Sequence, residues 1–161
     1  MPLDTLKKDF HELSKDVVVS HRVPLMHTFT QHGTTSTFEH VVSVSFRALA
    51  IARGLRIRVD ERSLVRGALL HDYYLYDWHD HEQAPDRWHG FTHPGHALRN
   101  AESDFGDLTS IERDVISRHM FPFHPLPPTT REGWLVCLSD KICTVQEFFA
   151  ARKARRNQDK A

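Results

Sequence analysis

The sequence has few cysteines and no long apolar segment. Cys137 and Cys143 are the two cysteines among 161 residues, and they lie six positions apart on one predicted helix. This spacing suits neither a local disulfide nor a CxxC zinc site. No apolar run reaches the roughly 18 residues of a membrane span, and residues 1–8 contain no apolar signal-peptide core. We therefore expect a cytoplasmic protein with reduced thiols.

The chain also lacks an excess of charge of either sign. Lysine plus arginine and aspartate plus glutamate both total 21, so the formal net charge is zero. Such a balance gives no overall field that would favour nucleic acid or a membrane surface as a partner. The basic residues between Arg152 and Arg156 lie at the end of a predicted helix, where they complement the helix dipole.

Strand-like alternation of apolar and polar residues is absent, and helical periodicity takes its place. Ser36 and Thr109 each begin a capping-box pattern, Asp60 can cap a helix, and Thr92-His93-Pro94 is expected to open another. The predicted helices cover residues 3–17, 36–54, 60–72, from 92 onward, 109–119 and 131–153. We predict an all-α fold of six or seven helices in one domain, residues 1–161, with residues 77–92 forming a polar loop over the site.

One stretch, residues 67–78, organises the rest of the chain. Its apolar first part ends abruptly at His71 and Asp72, and three tyrosines and a tryptophan follow. Burying an imidazole and a carboxylate there would cost free energy unless something compensates them. A divalent metal is suited to this role, because neutral imidazole and ionised carboxylate are both good ligands.

Further polar residues interrupt apolar patterns at helix ends or within helices, in a chain that contains 13 histidines. They are His40, His93, His119 and Asp140. Taken singly, His40 and His119 are compatible with hydrogen-bonded core histidines, and His93 with a capping residue before Pro94. An unpaired carboxylate at Asp140 would be costly, which favours a ligand role there.

In order and spacing these residues resemble the HD-domain superfamily of metal-dependent phosphohydrolases, over roughly residues 36–150. The pattern is His…His-Asp…Asp on a helical bundle. It is present as Phe38-Glu39-His40-Val41, Leu69-Leu70-His71-Asp72, His93-Pro94, Ile116-Ser117-Arg118-His119 and Leu138-Ser139-Asp140-Lys141. His93 and His119 match the subset that binds two metals, as in HD-GYP phosphodiesterases and HD-type dinucleoside tetraphosphate hydrolases. No Gly-Tyr-Pro follows His119, so cyclic dinucleotide hydrolysis is not expected.

The resemblance implies a metal site built from His40, His71, Asp72, His93, His119 and Asp140. Asp72 would bridge two ions about 3.5–4 Å apart. His40, His71 and Asp140 would hold one ion, and His93 and His119 the other. A ligand set without cysteine suits iron, manganese or zinc.

The implied activity is hydrolysis of a phosphate ester or anhydride by a metal-activated water, on a small nucleotide-like substrate. Asp72 and His96 are the candidate catalytic residues in addition to the cations Lys141 and Arg66, which neighbour ligand positions. His96 would orient a water or protonate a leaving oxygen. Two alternatives stay open, a diiron oxygenase and a regulatory module that has kept the fold. Gln31 and His32, which precede the second helix, are expected at the pocket entrance. The detailed roles of His32, His96, His124 and the 77–92 loop, and the oligomeric state, are left undetermined.

Overall fold

The computed structural model describes residues 2–80, 82, 84 and 88–158. In chain order the elements are α1 (Leu3–Val18), a 3₁₀ helix (Val23–His27), β1 (Thr30–His32), β2 (Thr35–Ser36), α2 (Thr37–Gly54), α3 (Glu61–Leu70), α4 (His89–Phe105), α5 (Ser110–Arg118) and α6 (Arg131–Gln158). The predicted all-α fold is confirmed, with six α-helices in the described part of the chain. None of these helices is long and apolar enough to cross a membrane.

Side-chain caps determine where three helices begin. The Ser36 hydroxyl accepts a hydrogen bond from the backbone N–H of Glu39, whose carboxylate accepts from the N–H of Ser36, and Thr109 forms the same capping box at α5. Asp60 accepts from the N–H of Ser63 at the start of α3. Such caps satisfy backbone donors that have no partner inside the helix. They therefore fix the positions of the polar residues that follow in each helix.

Helix α3 lies in the centre of the fold. Every residue from Ser63 to Leu70 is buried, and the helix contacts α1, α2 and α5. Leu69 and Leu70 belong to a core cluster with Leu49, and Leu64 belongs to a second cluster on the other side. Fully burying a side chain such as Leu70 contributes about 1.5–3 kcal/mol. This packing holds the residues that follow α3 deep inside the protein.

A small antiparallel hairpin between α1 and α2 was not predicted. β1 and β2 have three and two residues, which is too short for alternation to be seen in the sequence. Gly33 turns the chain with φ of +62°, a conformation that favours glycine. A Cβ at this position would also lie 2.6 Å from the Cβ of Ala151, so the hairpin packs closely on α6.

The start of α4 differs from the prediction. The carbonyl of Trp88 accepts hydrogen bonds from the N–H groups of Phe91 and Thr92, so the helix begins at His89 and not at Thr92. Pro94 therefore lies within the helix, where its ring nitrogen has no hydrogen to donate to the carbonyl of Gly90. Residues 89–92 of the predicted loop are thus helical. Its residues 81, 83 and 85–87 lie outside the described part of the chain.

Candidate metal centre

Five helices deliver the six predicted ligands to one buried place. His40 is in the first turn of α2, His93 is on α4, Asp140 is on α6, and the other three directly follow helix ends. His71 and Asp72 come after α3, and His119 comes after α5. At most 9% of each of these six residues is exposed. Residues separated by up to 100 positions in sequence are thereby brought together.

The two carboxylate oxygens of Asp72 face different histidines. Oδ1 lies 3.2 Å from Nε2 of His93 and 3.5 Å from Nε2 of His119. Oδ2 lies 3.4 Å from Nε2 of His71 and 3.9 Å from Nε2 of His40. Each oxygen of this carboxylate is therefore shared with a separate pair of imidazoles, which is the arrangement that a bridging ligand requires.

Asp140 completes the half of the cluster around His40 and His71. Its Oδ1 lies 3.1 Å from Nε2 of His40 and 4.0 Å from Nε2 of His71. The ligand atoms of these three residues lie within 4.8 Å of one another, and so do those of His71, Asp72 and His119. His71 thus lies between the two groups, and Nε2 of His93 is 2.9 Å from Nε2 of His119.

Backbone carbonyls orient three of the four imidazoles. Because a carbonyl can only accept, each of these hydrogen bonds places the hydrogen on Nδ1 and leaves a lone pair on Nε2 of the neutral ring. The bonds join Nδ1 of His71, His93 and His119 to the carbonyl oxygens of Ala68, His89 and Ile116, at 2.7, 2.8 and 2.9 Å respectively. The three Nε2 lone pairs consequently point toward the carboxylates, an arrangement that metal-binding histidines share.

Within the described residues, two buried atoms at the centre have no hydrogen-bond partner, Nε2 of His71 and Oδ1 of Asp72. Lone pairs and carboxylate oxygens that face one another repel unless a cation or a proton lies between them. A divalent metal fits this donor set, and nitrogen and oxygen donors without sulfur suit iron, manganese or zinc.

Electrostatics favour positive charge at this place. Burial opposes ionisation of both Asp72 and Asp140. When protons on the histidines take the place of a metal cation, the charge of His71 and hydrogen bonds from the surrounding imidazoles lower the pKa of Asp72 well below its ordinary value, and the hydrogen bond from His40 lowers that of Asp140 to about 2. Burial also opposes protonation of His40, yet hydrogen bonds with Asp140 and Glu147 raise its pKa to about 10. For His119, burial dominates and lowers the pKa to about 4, which keeps the imidazole in the neutral form that binds metals.

Two supporting residues were not predicted in their actual roles. The carboxylate of Glu147 lies 3.0 Å from Nδ1 of His40, and its position two turns after Asp140 on α6 was the available signal. Gln31 was expected at the pocket entrance, but its amide donates to Oδ2 of Asp72 at 2.6 Å. The Gln31 carbonyl accepts from the hydroxyl of Tyr74 at 2.5 Å, a contact through the hairpin that no sequence pattern indicated.

Arg66 does not face the cluster, contrary to expectation. Its Nε donates to Glu112 at 2.7 Å, and its other nitrogens pair with Asp16 and Asp107. The side chain is 7% exposed and is committed to these carboxylates. Five positions separate Arg66 from His71 on α3, which places the two side chains on different sides of the helix.

His96 likewise lies outside the cluster, while Lys141 is beside it. The Nδ1 atom of His96 accepts from Arg99, and the imidazole packs against Tyr76. Both residues are within α4, but His93 lines the cavity and His96, three residues on and about 60° around the helix, does not. Lys141 lines the cavity, with Nζ donating to the carbonyls of His119 and Cys137.

A cavity of about 1210 Å³ opens onto the cluster. Asp72, His93, His119 and Asp140 form part of its wall, and His32 is also on it. His124 does not line this cavity. The described part of the 77–92 segment contributes Trp78, His79, Ala84, His89 and Gly90. These five described residues of the predicted loop therefore line the cavity at the cluster.

A family model for the HD domain matches residues 37–144, which is more than half of the chain. The protein therefore belongs to the HD-domain family, and the resemblance inferred from the sequence is confirmed. No curated protein and no solved structure matches the chain significantly. The HD domain and the clustered His and Asp residues together indicate a metal-dependent, hydrolase-like function with a divalent cation.

Proposed function

We propose that this protein is a metal-dependent phosphohydrolase that cleaves a phosphate ester or anhydride in the cavity above Asp72. The observation that carries the proposal is that the two oxygens of the Asp72 carboxylate face different histidines. His93 and His119 lie at one oxygen, and His71 and His40 lie at the other. This arrangement supports two metal positions that share one bridging residue.

His40, His71 and Asp140 would hold one ion, and His93 and His119 the other, with Asp72 in contact with both. Two such ions supply Lewis acidity, which lowers the pKa of a water molecule and neutralises charge on a phosphoryl group. The backbone bonds to Nδ1 of His71, His93 and His119 keep these rings in one orientation. Little reorganisation is then needed when a substrate arrives.

The rest of the cavity positions the substrate. Its inner end contains the ligand residues, so the phosphoryl group would enter first and the remainder would lie toward Trp78 and Phe123. Lys141 adds a positive charge on the wall beside His119. His96 has no part in this proposal, because its imidazole faces Arg99 and Tyr76.

The test is a hydrolysis assay on protein reconstituted anaerobically with iron, manganese or zinc, against phosphomonoesters, nucleotides and dinucleoside polyphosphates. We expect phosphate release that Asp72→Ala abolishes, because both metal positions depend on this carboxylate. Circular dichroism would show that the variant is folded. Release at the wild-type rate from Asp72→Ala would place the activity elsewhere. Oxygen consumption by the iron-loaded protein without phosphate release from any substrate would replace the proposal with oxygenase chemistry.

A further inference from the structure

The outer wall of the cavity is mainly aromatic and apolar. The rings of Trp78 and His89 are parallel within 6°, with centroids 5.1 Å apart, and His89 in turn stacks on His93 at 4.8 Å. This row of rings leads from the cavity wall to a ligand of the metal centre. The remaining outer lining is largely apolar and consists of His79, Ala84, Gly90, Met120, Phe123, Thr144 and Val145.

Few cationic side chains are on the described part of the same wall. Among the lining residues that the structure describes, Lys141 is the one lysine or arginine. Its Nζ already donates to the carbonyls of His119 and Cys137, at 3.1 and 3.3 Å, and lies 3.2 Å from the Cys137 sulfur. Arg47 and Arg66 are engaged elsewhere, with Gln146 and Glu112 respectively.

The apolar wall and its few cationic side chains limit the number of phosphate groups that the cavity can accommodate. Proteins hold a phosphate chain with arginine, lysine or backbone N–H groups, because each further phosphate adds charge that must be neutralised. The candidate metal centre can neutralise one phosphoryl group at the inner end of the cavity. A second or third phosphate would then lie against the aromatic wall, where burial of an unpaired charge is costly.

We propose that the substrate is a phosphomonoester that carries one phosphoryl group on an aromatic or apolar body. This inference rests on the proposed function and narrows it, since it disfavours nucleoside polyphosphates and dinucleoside polyphosphates. The cavity volume of about 1210 Å³ is ample for such a body. Phe123 would be the main contact surface, because its ring lines the cavity and is 70% exposed, whereas the Trp78 indole already packs against the imidazoles of His79 and His89.

Binding can be tested without turnover. Calorimetry on metal-loaded protein would compare 1-naphthylmethylphosphonate with a methylene-bridged ATP analogue, neither of which is cleaved at the bond in question. We expect the naphthyl compound to bind at least about tenfold more tightly than the ATP analogue. The reason is that the analogue must place at least one further phosphate against the apolar wall. Tighter binding of the ATP analogue, equal binding of both, or no binding of the naphthyl compound would each overturn the inference.

Variants at the wall make the test specific. Phe123→Ala should weaken naphthylmethylphosphonate binding about 3- to 10-fold, as expected for one lost aromatic contact, and change methylphosphonate binding far less. Trp88→Ala is the matched control, because Trp88 is 69% exposed and does not line the cavity. Equal effects of the two substitutions would contradict the assignment of Phe123 as the contact surface.

A gain-of-charge variant avoids any question of folding. Val145 is on the cavity wall and 53% exposed, so Val145→Lys is tolerable to the fold and adds a cation to the wall. We expect it to tighten binding of the ATP analogue several-fold more than binding of naphthylmethylphosphonate, because the analogue brings more negative charge to the wall. An unchanged affinity for the analogue would count against charge as the selecting factor.

Hydrolysis then separates the two proposals. A higher kcat/KM for ATP than for 1-naphthyl phosphate would contradict the proposed phosphomonoester substrate class. The proposed phosphohydrolase activity would still hold. Tight naphthylmethylphosphonate binding without hydrolysis of any phosphate ester would support the preference of the cavity and remove the proposed reaction.

Discussion

The carboxylate of Glu147 lies 3.0 Å from Nδ1 of His40, on the side of the imidazole opposite to Asp140. A carboxylate behind a metal-binding imidazole fixes the ring orientation and makes the other nitrogen a better donor. His40 is fully buried, and the other three histidines of the cluster have a backbone carbonyl in the same position. Glu147 is thus the positioning residue for His40.

We predict that Glu147→Ala weakens metal binding about 10- to 100-fold, the usual effect of removing such a partner. Glu147→Gln should recover part of this loss, because the amide oxygen still accepts from Nδ1. A metal titration followed by calorimetry measures both variants. Gln146→Ala, at the neighbouring position on the exposed side of α6, should titrate like the wild type. If Glu147→Ala bound metal as tightly as the wild type, the orientation of the His40 imidazole would not depend on Glu147.

The second prediction distinguishes two histidines on α4. His93 faces Asp72 and His119, whereas His96 contacts Arg99 and Tyr76. Wild-type protein should contain more than one equivalent of metal, and His93→Ala should lower this stoichiometry together with the rate of hydrolysis. His96→Ala should change neither by more than about twofold, because no ligand or cavity contact is lost. Elemental analysis of anaerobically prepared protein decides between the two, and the reverse pattern would assign the site to His96.

The grouping of the six His and Asp residues could be predicted because their chemistry conflicts with their surroundings in the sequence. His71 and Asp72 follow an apolar run, and Asp140 interrupts another, so each carries a local signal of its own. The capping boxes at Ser36 and Thr109 also depend on neighbouring residues, and the structure contains both. Features that are encoded within a few residues are those that a sequence pattern can indicate.

The errors concern contacts between distant parts of the chain. Arg66 was expected near phosphate because it is close to His71 in sequence, yet its partner Glu112 is 46 residues away. Gln31 reaches Asp72 across 41 residues through a hairpin too short to be recognised. His96 was expected to share the inward face of His93, yet it contacts Arg99 and Tyr76. Side-chain direction depends on such packing details, which periodicity does not contain.

The third prediction concerns the contact between α3 and α5. A Cβ on Gly67 would lie 3.0 Å from the Cβ of Val115, whose branched side chain is fully buried. Gly67→Ala should therefore destabilise the protein by about 1–2 kcal/mol, with strain exceeding the gain in helix propensity. Gly54→Ala is the control, since no atom lies within 4 Å of its added Cβ, and it should be neutral or stabilising by up to about 1 kcal/mol. Urea unfolding curves measure both, and equal midpoints would contradict close packing at Gly67.

The last prediction concerns Asp114, which joins α5 to the beginning of α6. Its carboxylate accepts hydrogen bonds from the backbone N–H groups and the hydroxyls of Thr129 and Thr130, at 2.7–3.1 Å. Burial alone would raise the pKa of Asp114, but these hydrogen bonds outweigh it and lower the pKa below the ordinary value of 3.8. We expect Asp114→Asn to cost about 1–3 kcal/mol near neutral pH, because an amide N–H₂ would face groups that are themselves donors.

The direction of the pKa shift fixes the pH dependence of this effect. A carboxyl group with a lowered pKa in the folded state stabilises the protein above its unfolded pKa, here 3.8, and loses that contribution as the pH falls through the folded value. The difference in unfolding free energy between wild type and Asp114→Asn should therefore be constant above about pH 5 and shrink below about pH 3.8. Urea unfolding at several pH values measures it, with Asp4→Asn, an exposed carboxylate on α1, as the control. A difference that persists unchanged in strong acid would mean that shape, and not charge, makes Asp114 stabilising.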